Sequence, residues 1–359
     1  MVHITLLHEM TAYRKINTAL CSFGMSGKVF HAPFLSVLDG FQLYAIWERS
    51  KKQSSDIYPG VISYNTYQEL LEDASIELVV VNTPNYTHYE YAKKALESGK
   101  HVIVEKPFTV TVAEGQELIA LAKQKQRLLS VYHNRRFDSD YKIVKSVVEK
   151  KLLGDLVEVE FHFDRYREAL SPKLHKESPV AGSGALYDLG SHLIDQALQL
   201  FGKPQSLFAD IRVIRPDSKV DDYFELLFYY TDLRVRLKCS YLVREALPAY
   251  ILHGRKGSFI KAKSDIQESA LQSGLLPNKQ DWGVEPEEER GLLHTEIDGA
   301  IKRQYLPAVP GNYGEFYQGV FDAIRYGKRL PIQPEEALDV ITIITKAFES
   351  NEQKKVIAI

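Results

Sequence analysis

The sequence of 359 residues has few of the features that would place a protein quickly. It holds two cysteines, Cys21 and Cys239. That is too few for a disulfide framework and suits a reducing compartment. Charge is almost balanced, with 45 Lys and Arg against 47 Asp and Glu. A net −2 offers no electrostatic handle for nucleic acid or an anionic membrane, so neither partner is expected. No apolar run approaches the roughly 20 residues of a membrane span. The amino-terminal stretch carries only Ile4 to Leu7 as an apolar run, too short for a signal-peptide core, and no small-residue cleavage site follows. A loose extension over residues 1–10 and a cytoplasmic location are therefore expected. There is no repeat or low-complexity segment, and no second histidine follows His192 at zinc-binding spacing, so no metal is expected. What remains is a globular composition, 45% apolar and 26% charged, of a length that predicts two domains.

The first half alternates strands with helices of about ten residues, which predicts a doubly wound parallel sheet. Strands are expected at Ile16 to Cys21, Phe41 to Trp47, Leu78 to Val81, Val102 to Val104 and Leu128 to Tyr132. After the first comes Ser22-Phe23-Gly24-Met25-Ser26-Gly27, a dinucleotide fingerprint with serine at its first glycine position. A helix from Lys28 to Leu38 meets Pro33 on the way. The second strand ends in Glu48-Arg49-Ser50, which carries both cofactor signals. A carboxylate there binds the ribose 2′-hydroxyl of NAD, and an arginine accepts the 2′-phosphate of NADP. Arg49 with Ser50 favours NADP if Glu48 points elsewhere. Asn82-Thr83-Pro84, with His88 beyond, suits a loop over a cofactor. The strand with its core at Val102 to Val104 stops on Glu105-Lys106-Pro107, since proline cannot extend a ladder. Lys106 thus stands at a carboxyl end, where ligands of open parallel sheets bind.

The second half changes period. Val157, Val159, Phe161 and Phe163 alternate with charged residues, the mark of a strand with one buried face. Strands at Leu207 to Ile214, Tyr223 to Tyr230, Leu233 to Tyr241 and Tyr250 to His253 follow on short turns, predicting a large, mainly antiparallel sheet. Their many aromatic residues point to a subunit contact and a homo-oligomer. Residues 261–310 read as a polar loop or flap, and two helices close the chain, Tyr313 to Tyr326 and Glu335 to Ser350. A helical stretch from Gly182 to Phe201 sets Asp188 and His192 one turn apart, with Asp195 three residues beyond. A carboxylate there would favour a protonated, oriented imidazole. A satisfied structural histidine is the competing reading.

Taken together, Gly24 to Phe34, Asn82 to His88, Glu105-Lys106-Pro107 and Asp188-Leu189-Gly190-Ser191-His192 resemble the glucose–fructose oxidoreductase / inositol dehydrogenase / MocA family (Gfo/Idh/MocA). Within it the sequence is most similar to the NADP-dependent scyllo-inositol dehydrogenase branch, from about Ile16 to Ile359. The resemblance implies an α/β protein with a Rossmann domain over residues 11–133. A substrate-binding and oligomerisation domain with an open-faced sheet then follows over residues 134–359. It implies catalysis by Lys106, Asp188 and His192, with Tyr166 beside them on the substrate. Phe23, Gly24, Met25, Ser26, Gly27, Glu48, Arg49, Ser50, Asn82, Thr83, Pro84, His88, Glu105 and Lys106 would meet the cofactor. A cis Lys106–Pro107 bond is expected from relatives. The implied activity is hydride transfer between NADP, in preference to NAD, and a secondary alcohol of a sugar or cyclic polyol. An NAD-dependent glycosidase and a non-catalytic dinucleotide-binding sensor are the alternatives on this fold.

Overall fold

A computed structural model describes residues 14–49, 52–171, 177–245 and 247–359. The expected extension over residues 1–10 and Ser50 lie outside them. The first sheet is parallel throughout, in the order β3-β2-β1-β4-β5-β6. Its strands are β1 (Ile16–Leu20), β2 (Phe41–Trp47), β3 (Ile62–Tyr64), β4 (Leu78–Val81), β5 (His101–Glu105) and β6 (Leu129–Tyr132). β4 is buried on all four residues, as a central strand covered on both faces must be. The helix after β4 runs His88–Glu97, and the chain leaves it through Gly99 at φ 73°, a left-handed position that glycine occupies without strain.

The helix expected from Lys28 breaks into two kinds of turn. A wide π-type turn spans Gly27–His31, and an α-helix spans Ala32–Val37. Pro33 falls in the first turn of the latter, where its missing N–H removes no helical bond.

The second sheet has nine strands in the order β14-β13-β12-β11-β7-β10-β9-β8-β15. They are β7 (Leu156–His162), β8 (Ser206–Arg212), β9 (Tyr223–Tyr229), β10 (Arg234–Ser240), β11 (Tyr250–Gly254), β12 (Gly257–Lys261), β13 (Leu292–Ile297), β14 (Ala300–Tyr305) and β15 (Ile357–Ala358). Only β7 and β10 pair parallel. Residues 261–310 are not the polar flap expected. They carry a helix, Gln267–Gln272, and the hairpin β13–β14, which extends the sheet from β12.

The aromatic argument for a subunit contact also changes. Phe161, Phe224, Phe228 and Phe259 are fully buried in the core, so they are not available to a partner. Across the opposite face of the sheet runs a register row of Phe208, Leu227, Arg236, Glu160, Ile251, Ile260 and Leu292. Arg236 there bridges Glu160 and, at 2.9 Å, Glu225.

The two closing helices reach back. Gly314–Tyr326 packs Phe316, Tyr317 and Val320 into one cluster with Ile16, Phe34, Phe41 and Tyr132 of the first sheet's side. Pro334–Gln353 packs against β8 and against the helices Val112–Gln124 and Ser191–Phe201, bridging both sheets. Among the described residues no helix is long and apolar enough to cross a membrane.

Candidate active site

β1 and β4 are neighbours, and the strand order runs away from them in opposite directions. The crevice at their carboxyl ends is the usual ligand position in such sheets. Ser22 and Asn82 close it from the two strands. The Ser22 amide donates to Asn82 Oδ1 at 2.9 Å, the Asn82 amide nitrogen returns to the Ser22 carbonyl at 2.9 Å, and Ser22 Oγ donates to the Asn82 carbonyl at 3.1 Å. The serine at the fingerprint's first position is thus a brace beneath the loop. Asn82 is spent on the same brace, so it shapes the cofactor loop from below.

Gly27 is where the loop cannot carry a side chain. A Cβ there would lie 2.4 Å from the Ser22 carbonyl oxygen. No side chain caps the turn that opens at Gly27, which leaves its amide end for an anion. Gly24 is exposed with only Ser22 Oγ near, Met25 is 44% exposed, and Phe23 is buried with Lys28 Nζ 5.1 Å above its ring. A cavity of about 300 Å³ continues from Phe23 between Arg49 and Thr83, Pro84 and Tyr86. These residues fit a dinucleotide.

Glu48 does not open onto that cavity as a free acceptor. Its Oε1 accepts from the amides of Gln53 (2.9 Å) and Ser54 (3.3 Å), and its Oε2 from the hydroxyls of Ser54 (2.5 Å) and Ser63 (2.9 Å). Burial alone would raise its pKa, but these donors hold it below the ordinary value. Arg49, at the cavity's edge, makes no ion pair among the described residues.

At the end of β5 the Lys106–Pro107 peptide is cis. Lys106 reaches across to the second half of the chain, donating to Asp188 Oδ1 at 2.9 Å and to the Asp188 carbonyl at 2.7 Å. Asp188 therefore serves the lysine. It sits in a second π-type turn, Leu186–Gly190, whose wider spacing departs from the α-helical geometry expected to set it on His192.

His192 is 5% exposed, and its Nδ1 is buried without a hydrogen-bond partner. Burial first, then the charges of Lys106, Arg135 and His133, hold its pKa well below 6.5, against a smaller opposing pull from Asp188. The imidazole is thus neutral, because desolvation and the cations Lys106 and Arg135 outweigh the one carboxylate that favours a proton.

Asp195 turns elsewhere as well. Both its oxygens accept from Arg136, at 2.8 and 2.6 Å.

Two residues expected at the cofactor are braces here. His88 is 1% exposed and spans the Pro107 and Thr83 carbonyls at 2.9 Å each, tying the two loops together. Glu105 Oε1 meets His31 Nε2 at 2.9 Å, and His31 Nδ1 meets the Tyr317 hydroxyl at 2.5 Å. Glu105 Oε2 accepts from the Lys106 amide at 3.1 Å, so this buried chain fixes the backbone that aims the lysine. Thr83 Oγ1 pairs with Thr87 Oγ1 at 2.7 Å. Tyr166 lies on the exposed lip after β7, its ring 3.9 Å beneath Arg244 and its hydroxyl 3.4 Å from Glu168. No hydrogen bond among the described residues joins it to Lys106, Asp188 or His192.

Sequence reasoning missed His133, whose two ring nitrogens are buried without partners beside Asp195, with Nδ1 3.9 Å from Oδ2. Phe163, directly after β7, stacks its ring on His192 at 6.4 Å and 28°. The carboxyl-end argument that found Lys106 applies equally to His133, which follows β6 directly. Among the described residues no group of His, Cys, Asp or Glu could hold a metal ion.

Residues 16–133 match the model of an oxidoreductase family with an NAD-binding Rossmann fold, and residues 145–359 match the C-terminal alpha/beta domain of the same family. The scyllo-inositol 2-dehydrogenase (NADP(+)) of Bacillus subtilis is 37% identical, covering 99% of each chain. A crystal structure from Bacteroides fragilis is 47% identical, with TM-score 0.89, covering 96% of this chain and all of that one. That of an oxidoreductase from Bacillus cereus is 34% identical at TM-score 0.89, covering 96% and 99%.

Proposed function

The chain belongs to the Gfo/Idh/MocA oxidoreductase family, and from that premise we propose that it is an NADP-dependent dehydrogenase acting on a secondary alcohol of a sugar or cyclic polyol. One observation carries the reading. The ammonium of Lys106 is anchored across the crevice on Asp188, beside a neutral and unpartnered imidazole, His192.

A bound nicotinamide supplies the two-electron chemistry, taking hydride from the carbinol carbon or returning it. The protein supplies the rest. With its Nδ1 sealed off, His192 keeps the proton there and takes the hydroxyl proton at Nε2, a base of the kind typically worth about 10²–10⁴-fold. Lys106 stabilises the charge that grows on the alcohol oxygen. Asp188 holds Lys106 in place and receives a neighbouring substrate hydroxyl. The buried Glu105–His31–Tyr317 chain keeps the Lys106 peptide from drifting.

Phe23, Gly24, Met25, Ser26 and Gly27 carry the pyrophosphate, with Thr83 and Pro84 over the nicotinamide side. NADP is favoured because Glu48 is already saturated while Arg49 is not. The NADP-dependent Bacillus subtilis relative supports the same choice, and its name supports an inositol-like substrate. We place the division between nucleotide and substrate domains at residues 133 and 134, and a second copy of the chain on the open face of the nine-stranded sheet.

The test is a panel of polyols and sugars run with both cofactors and read as nicotinamide absorbance. Turnover of a polyol or sugar with NADP supports the reading. Tight cofactor binding without turnover of any compound overturns it in favour of a sensor. Cleavage of a glycoside without net nicotinamide reduction overturns it in favour of a glycosidase.

A further inference from the structure

Phe163 stands at the end of β7, where its ring stacks on His192. Three cations crowd the same ring. Lys263 Nζ lies 4.9 Å from its centroid, and the guanidinium carbons of Arg135 and Arg165 lie 5.2 Å from it. Two of the three are neutralised within the protein. Arg135 pairs with Asp138 at 3.2 Å and Glu268 at 2.8 Å, and Lys263 pairs with Asp138 at 3.3 Å.

Arg165 is different. Among the described residues its guanidinium has no carboxylate partner and donates no hydrogen bond. It is half-buried between the faces of Phe163 and Tyr241, the latter at 5.7 Å. Cation–π contacts of this kind return only part of the hydration a guanidinium loses. Its five donors are left unused, in a fork that matches a carboxylate or phosphate. Arg167 and Arg244, on the same two strand ends, likewise have no carboxylate partner among the described residues. Arg244 instead covers the Tyr166 ring. The same segments carry Asp164, Glu168 and Glu245, so the lip is mixed in charge, and what sets Arg165 apart is a half-buried guanidinium held by two rings without a carboxylate among the described residues.

We infer that the substrate carries an anionic group, a carboxylate or a phosphate, and that Arg165 receives it. This rests on the dehydrogenase reading above and narrows its substrate to sugar acids or sugar phosphates.

Initial rates with NADP on matched pairs test it: glucose against glucuronate, glucose against glucose 6-phosphate, and myo-inositol against its 1-phosphate. At least one anionic member should exceed its neutral partner in kcat/KM by tenfold or more, and which pair does so tells carboxylate from phosphate. Arg165→Ala should collapse that ratio, mainly through KM, and Arg165→Lys should restore part of it. Neutral compounds turned over as well as their anionic partners, or an Arg165→Ala loss equal for both members, would overturn the inference while leaving the dehydrogenase reading intact. If no compound turns over, calorimetry of glucuronate and glucose 6-phosphate on the NADP-loaded protein decides. A tenfold or greater loss of affinity in Arg165→Ala supports the anion site, and unchanged or absent binding overturns it.

Discussion

Asp188 Oδ1 lies 2.9 Å from Lys106 Nζ, while the buried Nδ1 of His192 has no hydrogen-bond partner among the described residues. The carboxylate nearest the candidate base is therefore committed to the candidate electrophile. Orientation of the imidazole is left to burial and to the stack on Phe163.

Removing either end of this arrangement should stop turnover and spare the fold. Lys106→Met and His192→Asn are each expected to lower kcat by at least an order of magnitude, with NADPH affinity within a few fold of the parent. Steady-state kinetics beside cofactor fluorescence titration checks this, and near-parental kcat in either variant refutes the role assigned to it.

The pH profile should carry the mark of a depressed histidine. His192 is held well below 6.5 by burial and by Lys106, Arg135 and His133. As the base it must be unprotonated, so activity persists below pH 6.5 and falls only as pH drops through the lowered value. Asp188 opposes the shift, so Asp188→Asn should move the acid limb of residual kcat/KM to still lower pH. A limb at or above 6.5 in the parent would contradict the geometry.

Cofactor discrimination should rest on Arg49. Arg49→Ala is expected to weaken NADP binding about tenfold or more and NAD binding less than twofold. Glu48→Ala should instead cost stability, roughly 1–3 kcal/mol, because it strands buried donors from Gln53, Ser54 and Ser63. Competitive titration and thermal melts separate the two effects, and equal losses of NADP and NAD in Arg49→Ala would remove the argument for NADP.

The brace under the fingerprint predicts unequal costs. Ser22→Gly removes one side-chain bond and keeps both backbone bonds to Asn82, so about 1 kcal/mol of stability and little cofactor affinity should be lost. Asn82→Ala leaves the Ser22 amide without its acceptor and should weaken NADP at least tenfold. If Ser22→Gly proves the more damaging change, the serine has a direct role at the cofactor.

A buried acid outside the crevice should shape stability. Burial, then the charges of Asp138 and Asp140, raises Asp265 to about 7. The folded state therefore keeps a proton that the unfolded chain has released above its ordinary value of 3.8. Stability from this group is complete below about pH 4 and falls as pH rises to about 7, by up to about 4 kcal/mol. Asp265→Asn should flatten the dependence of unfolding free energy on pH across that window, whatever it does to the absolute value.

How far the sequence could be read depended on whether each element is made locally. Leu78 to Val81 is apolar on every residue, and its bounds came out to the residue. β14 is exposed on all six residues and alternates nothing, so it exists only because β13 pairs with it and β13 with β12. The short edge strand β3 has the same excuse: it forms on the last residues of β2. At the site, Lys106 was legible because proline stops a strand. The partner of Asp188 was not, since the π-type turn that redirects it has no periodic signature. Arg135 and Lys263 meet at Phe163 from distant segments, a meeting that only tertiary packing reveals.

The wall that Phe316, Tyr317 and Val320 build against Phe34, Phe41 and Tyr132 has a bearing on biosynthesis. The nucleotide-binding half leaves the ribosome first, yet one side of its core is donated by nearly the last helix to be translated. A nascent fragment released at residue 300 should therefore be cut readily by protease within residues 16–46, whereas the finished chain resists.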